Sequence, residues 1–170
     1  LSVLMELFTI LGEYRDRIVL VGGWIPYFLN EAYRDEHVGS LDIDIAISTE
    51  DQSEEVYQTI LKTLISRGYE EGKQPFQFNR SITDKTGARF DVTIDLLAGE
   101  YGGTSKKHRT QKIQDVKARK ARGCDIVFDH YQKIKVSGTM PDGSINEIYL
   151  KIADVVAFLT MKGMAIWDRM

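Results

Sequence analysis

Two aspartates separated by one residue stand inside an apolar segment, Leu41-Asp42-Ile43-Asp44-Ile45-Ala46-Ile47. Strict alternation of this kind marks a β-strand, in which successive side chains point to opposite faces. Asp42 and Asp44 then share one face, with α-carbons roughly 7 Å apart, while Ile43, Ile45 and Ile47 take the other and enter the core. Neighbouring carboxylates repel, and a strand this apolar has little reason to carry both unless a cation binds between them. Magnesium (or manganese) suits such a place, because it takes hard oxygen ligands, typically one or two carboxylates together with substrate phosphates. In two-metal sites the ions lie about 3.5–4 Å apart and clamp the attacking and leaving oxygens of a phosphoryl displacement. The competing explanation is an edge strand with a solvated acidic face, so the surroundings must decide.

Three neighbouring features bear on it. Gly39-Ser40 lies directly before the acidic strand. Glycine lets backbone approach a phosphate closely, and the serine hydroxyl can donate to phosphate oxygens. Gly22-Gly23 separates a short apolar strand, 18–21, from a helix start at Trp24. The free N–H groups of a helix N-terminus favour anions; a plain tight turn is the alternative there. Finally, a segment at 89–97 carries Asp91 and Asp95 on one face with Thr93 between them. If that strand lies beside the first, one or both complete a carboxylate triad. Asp95 is preferred, because a charge embedded in Ile94-Asp95-Leu96-Leu97 most needs a partner, and Asp91 is the second choice. The third carboxylate would activate the attacking hydroxyl as a base or hold a second metal.

The elements that must position these residues follow from periodicity. Leu4, Leu7, Phe8 and Leu11 put one apolar face on a helix over 1–14. A second helix is expected over 24–33, with Pro26 tolerated in its first turn. A third runs over 51–67, with Val56, Ile60, Leu61 and Leu64 inward and Gly68 as its stop. Strands at 76–83 and 89–97 flank the hairpin signal Asp84-Lys85-Thr86-Gly87. The segment 110–122 reads as a basic helix closed by Gly123, and 125–128 as a short strand. Strands at 133–137 and 145–151 flank Pro141-Asp142-Gly143, and a last helix is expected over 152–167. Helices, strands and hairpins mixed in this way predict an α+β fold, with flanking helices on a mixed sheet.

An apolar strand, Gly-Gly, a helix, Gly-Ser-x-Asp-apolar-Asp and a later strand Asp together resemble the polymerase-β-like nucleotidyltransferase superfamily. Val21-Gly22-Gly23-Trp24 and Gly39-Ser40-Leu41-Asp42-Ile43-Asp44 carry the resemblance, which spans roughly 18–169. Within it the chain looks most similar to the abortive-infection type IV toxin nucleotidyltransferases. The resemblance implies the nucleotidyltransferase fold and magnesium-dependent transfer of a nucleoside monophosphate from an NTP, such as ATP, to a hydroxyl of RNA, protein or a small molecule. It implies Asp42, Asp44 and Asp95 as catalytic and metal-binding residues, and Gly22, Gly23, Gly39 and Ser40 as nucleotide-binding. The spacing from Gly22-Gly23 to the acidic pair is longer here than is usual in the superfamily, so either glycine pair can be the one that meets phosphate. It also assigns Lys162, in Met161-Lys162-Gly163-Met164-Ala165, to the nucleotide phosphates. A further basic and acidic motif is expected to follow from Arg169, so the chain reads as truncated at its C-terminus. A toxin role would add a neutralising antitoxin protein as partner.

Composition sets the outer bounds. With 170 residues and a net charge of −3, the chain suits a single domain over 1–170, with a subdivision near 123–170 as an alternative, and does not coat nucleic acid as a whole. The local stretch Lys106–Arg122 is strongly basic, with Asp115 as its one acid, and could hold an RNA acceptor or the triphosphate. The lone Cys124 allows no internal disulfide and fits a reducing cytoplasm; it reads as a core residue, as do Trp24 and Trp167. His37, His108 and His130 have no metal-ligand spacing. No apolar run approaches the roughly 20 residues that span a bilayer. Two other functions share this framework. A small-molecule, antibiotic-type nucleotidyltransferase would need an acidic acceptor pocket, against which the basic stretch argues. A non-catalytic nucleotide- or partner-binding module would not need the carboxylates that are present.

Overall fold

The computed structural model describes residues 1–30, 40–48, 54–83, 86–100, 110–113 and 116–170. In chain order its elements are helix α1 (Ser2–Ile10), strand β1 (Ile18–Val21), helix α2 (Ile25–Leu29), β2 (Asp42–Ile47), helix α3 (Glu54–Ser66), β3 (Glu70–Glu71), β4 (Gln77–Thr83), β5 (Arg89–Ala98), β6 (Thr110–Ile113), β7 (Val116–Lys120), β8 (Tyr131–Thr139), β9 (Ile145–Ala153) and helix α4 (Val155–Trp167). Among the described residues the strands form one nine-stranded sheet, ordered β3-β4-β5-β2-β1-β9-β8, with β7 also on β5 and β6 on β7. It is mixed: β2 runs parallel to β5 and antiparallel to β1, while β1 runs parallel to β9. The class is therefore α+β, as the mixture of hairpins and helices predicts.

Burial explains why the middle strands sit where they do. All four residues of β1, Ile18 to Val21, are buried, the pattern of a strand covered on both faces. On β2 and β5, Ile43, Ile45, Ile94 and Leu96 are each 1% exposed or less and lie opposite one another in register. Fully burying such a side chain stabilises the fold by about 1.5–3 kcal/mol, so these four residues fix the β2–β5 register firmly. Leu4, Leu7, Phe8 and Leu11 are buried, and α1 packs them against β8 and β9. Ile60 and Leu64 of α3 are buried as well. Gly68 ends that helix with φ +80°, a left-handed conformation that favours glycine.

One polar cluster joins α1 to the far edge of the sheet. Glu6 accepts from Arg80 Nε at 3.0 Å, from Arg80 Nη2 at 3.1 Å and from the Tyr69 hydroxyl at 2.9 Å. Burial and the Glu6 carboxylate beside it hold the Tyr69 hydroxyl un-ionised, well above its ordinary pKa.

Several expectations are corrected. Within the basic segment 110–122 the described residues form no helix but the antiparallel strands β6 and β7: Val116 and Ala118 are buried while Lys117 and Arg119 are exposed, an alternation of two. Lys, Arg, Gln and Ala favour helix locally, yet β5 offers a free edge past the end of β4, and β7 pairs there through Leu97↔Arg119 and Ala98↔Lys120. Residues 124–128 form a 3-10 turn rather than a strand. Ile152 and Ala153 finish β9, and α4 starts at Val155, capped by the Asp154 carboxylate accepting from Ala157 N at 2.9 Å. The first helix ends at Ile10, with a 3-10 turn at Gly12–Tyr14. Trp24 is buried, but Trp167 is 69% exposed on α4 and is not a core residue. Residues 31–33 of the second expected helix, Asp84 and Lys85, and His37 and His108 lie outside the described residues.

Removing Glu6 should strand Arg80 and Tyr69. Glu6→Ala is expected to cost about 3 kcal/mol, the scale for breaking a largely buried ion pair, in denaturant unfolding. A loss below about 0.5 kcal/mol, the usual surface effect, would show that the cluster does not hold α1.

Candidate active site

The parallel pairing of β2 with β5 decides where the acidic residues go. In register, Asp44 faces Asp95 and Asp42 faces Thr93. Paired residues of adjacent strands lie about 4.8 Å apart across the sheet and point to the same face, so the two aspartates stand side by side, with Asp42 at the entrance. Asp42 is exposed; Asp44 and Asp95 are half-buried. The cost of placing them together shows in their protonation. Burial first, then the charges of Asp95 and Asp42, push Asp44 up to about 6, against the opposing pull of Arg119 and Lys162. Burial, followed by the charge of Asp42, also raises Asp95, while a hydrogen bond from the Gln77 side chain and the Arg119 charge pull it down.

The two glycines serve this carboxylate pair. Gly22 has φ +75° and turns the chain sharply out of β1; a Cβ there would overlap the Asp44 carboxylate. A Cβ on Gly23 would lie 2.9 Å from Ser40 Oγ. The Ser40 hydroxyl donates to Asp42 O at 3.0 Å and accepts from Asp42 N at 3.3 Å, which fixes the entry into β2. Gly22, Gly23, Ser40, Asp42, Asp44 and Asp95 are thus gathered at one place. Gly39 lies outside the described residues, as do Lys106 to Arg109.

Asp91 is not part of this group. It lies two strand periods before Asp95, exposed, where Ser81 donates to it and Arg89 pairs with it at 3.7 Å. Lys162 is exposed on α4 with Nζ 5.7 Å from the Phe158 ring centroid, close enough for its charge to act on Asp44. His130 instead pairs with Asp154 at 3.4 Å. Cys124 is buried and burial pushes its thiol up to about 12, so it is an inert core residue.

Two residues of the site carry no motif. Gln77 opens β4 directly opposite Asp95, and Arg119 reaches the same face from β7. The signal for Arg119 was the alternation Val116-Lys117-Ala118-Arg119, hidden by its helix-favouring composition. For Gln77 nothing local distinguishes it from any other polar strand residue.

The donor set suits a hard divalent cation. Asp95 Oδ1 is buried without a hydrogen-bond partner, and a buried acceptor left unsatisfied normally answers to a ligand, ion or water. Among the described residues no group of three or more His, Cys, Asp or Glu side chains is placed to hold a metal ion. Magnesium held by one or two carboxylates and completed by substrate phosphates needs none.

Two outcomes follow for the protein without ligand. Asp44 is raised from 3.8 to about 6, so its favourable contribution is complete below pH 3.8 and is lost as pH rises through about 6. Asp44→Asn should therefore be more stable than the parent by about 3 kcal/mol at neutral pH, a gain that shrinks as pH falls toward 4; urea unfolding across that range reads it, and a pH-independent difference would contradict the placement. Gly22→Ala should cost at least about 2 kcal/mol through its positive φ and its overlap with Asp44. That penalty should fall in an Asp44→Ala background, and equal costs in both would mean that the two residues do not touch.

No protein-family model matches this chain, and neither does any curated protein or solved structure.

Proposed function

We propose that this protein is a magnesium-dependent nucleotidyltransferase of the polymerase-β-like fold, moving a nucleoside monophosphate from an NTP to a hydroxyl acceptor. One observation carries the reading. Motif residues scattered from Gly22 to Asp95 converge, with Asp44 beside Asp95 in register, Gly22 against Asp44 and Gly23 against Ser40. A chance acidic strand face would not require a left-handed glycine from another element to make room for its carboxylate.

In this reading Asp42 and Asp44 hold the cation, and Asp95 shares it or accepts a proton. Bound there, magnesium would neutralise charge on the triphosphate and on the attacking and leaving oxygens. Ser40, the Gly22-Gly23 backbone and Lys162 receive the phosphates. The acceptor hydroxyl oxygen forms a bond to the α-phosphorus, the bond from that phosphorus to the bridging oxygen breaks, and pyrophosphate leaves with the electron pair. Where Asp95 does not share the cation, the hydroxyl proton goes to its carboxylate, which stands beside Asp44 in register. Positioning and charge neutralisation supply most of the acceleration. A toxin role, with an antitoxin as partner, belongs to the same proposal and rests on the sequence resemblance alone.

Calorimetric titration of the four NTPs, with magnesium and then with EDTA, tests the reading. Magnesium-dependent binding of at least one NTP is expected. Asp44→Asn should weaken it by about tenfold or more, one lost charged ligand being worth at least about 1.5 kcal/mol, with an unchanged circular-dichroism spectrum. Binding that ignores EDTA, or survives Asp44→Asn undiminished, would sink the assignment.

A further inference from the structure

The sheet order gives the site two distinct flanks. From β1 through β2 to β5, the glycine turn and Ser40 lie on one side of the carboxylates. Beyond β5, on the other side, the ends of β4 and β7 bring in Gln77, Lys117 and Arg119. Arg119 pairs with Leu97, two residues past Asp95 and on the same face. Lys117 is two residues earlier on β7, so it shares that face, with α-carbons roughly 7 Å apart. Both side chains are exposed. The Arg119 guanidinium lies 5.9 Å from the Phe76 ring centroid, which steadies it. Among the described residues no carboxylate forms an ion pair with it, although its charge reaches both Asp44 and Asp95.

An in-line transfer needs the leaving pyrophosphate and the attacking hydroxyl on opposite sides of the α-phosphorus. With the triphosphate on the Gly22–Ser40 flank, the acceptor enters from the Arg119 flank. A guanidinium presented there, with no carboxylate ion-paired to it among the described residues, matches phosphate geometry through two parallel N–H donors. A cationic acceptor would be repelled.

We infer that Arg119, with Lys117 beside it, binds a phosphate group of the acceptor, so that the enzyme selects hydroxyl acceptors carrying a phosphate close to the attacking oxygen. The inference rests on the nucleotidyl-transfer reading. The phosphate can belong to the 3′ end of a nucleic-acid strand or to a phosphorylated small molecule such as a sugar phosphate.

The test measures three ligands separately on the parent chain and on Arg119→Ala, Arg119→Lys and Lys117→Ala: a fluorescent single-stranded oligoribonucleotide by anisotropy, and ribose 5-phosphate and magnesium-ATP by calorimetry. The parent should bind at least one of the two phosphate acceptors. Arg119→Ala should weaken that binding by about tenfold or more, as expected for losing charged hydrogen bonds, with partial recovery in Arg119→Lys and a smaller loss in Lys117→Ala. Magnesium-ATP affinity should change by much less than acceptor affinity, since Arg119 acts on Asp44 and Asp95 through its charge alone and lies on the other flank from the Gly22–Ser40 turn. Oligonucleotide binding alone assigns a nucleic-acid end; ribose 5-phosphate binding alone assigns a small acceptor. The inference is overturned if neither acceptor binds, if Arg119→Ala leaves acceptor binding unchanged, or if it weakens magnesium-ATP equally. If a phosphate acceptor binds through Arg119 while none of the four NTPs binds with magnesium, the transfer reading falls and the anion site stands.

Discussion

The juxtaposition of Asp44 and Asp95 on neighbouring parallel strands is the constraint around which the rest is arranged. Two carboxylates at strand-pair distance repel, and half-burial makes each harder to ionise. Nothing in their own chemistry would bring them together. Their position is imposed by the opposite face of the same strands, where Ile43 meets Ile94 and Ile45 meets Leu96, all buried. A one-residue slip of β2 against β5 would turn Ile43 and Ile45 toward the polar face and send Asp42 and Asp44 into the core. The apolar face thus sets the geometry and outweighs the repulsion on the polar one.

Electrostatic relief comes from elements far apart in the chain. Arg119 arrives on β7 and Lys162 on α4, and both draw Asp44 back toward its ordinary range without bonding to it. Cations at that remove lower the cost of the negative cluster and leave its oxygens free for a ligand. Gln77 acts more directly, through a hydrogen bond to Asp95. Gly22 contributes by absence: the space a side chain would fill is occupied by the Asp44 carboxylate.

The basic segment shows the limit of local reasoning. Its Lys, Arg, Gln and Ala favour a helix, and the competing alternation covers only Val116 to Arg119. What tips the balance is an unpaired stretch of β5 beyond the last β4 pairing, which satisfies the β7 backbone and buries Val116 and Ala118. The same kind of override extends β9 through Ile152 and Ala153, because Leu20 of β1 offers Ile152 a parallel partner. Trp167 fails the opposite way. Its apolar character suggests burial, but α4 turns that face outward along with Leu159 and Ile166.

The sequence by itself determined the strand alternation at Asp42 and Asp44, the glycine stop at Gly68, both long hairpins and the α+β class, because each is written in periodicity or turn chemistry over a few residues. The burial difference was legible too: Asp95 is flanked by the buried Ile94 and Leu96, while Asp91 is solvated beside Arg89. Tertiary structure alone decided that Asp44 and Asp95 are partners, that Gly22 must yield its side-chain space to one of them, and that Gln77 and Arg119 belong to the same site. Those facts depend on which strands pair and in what register, a global competition among buried surfaces that no local pattern encodes.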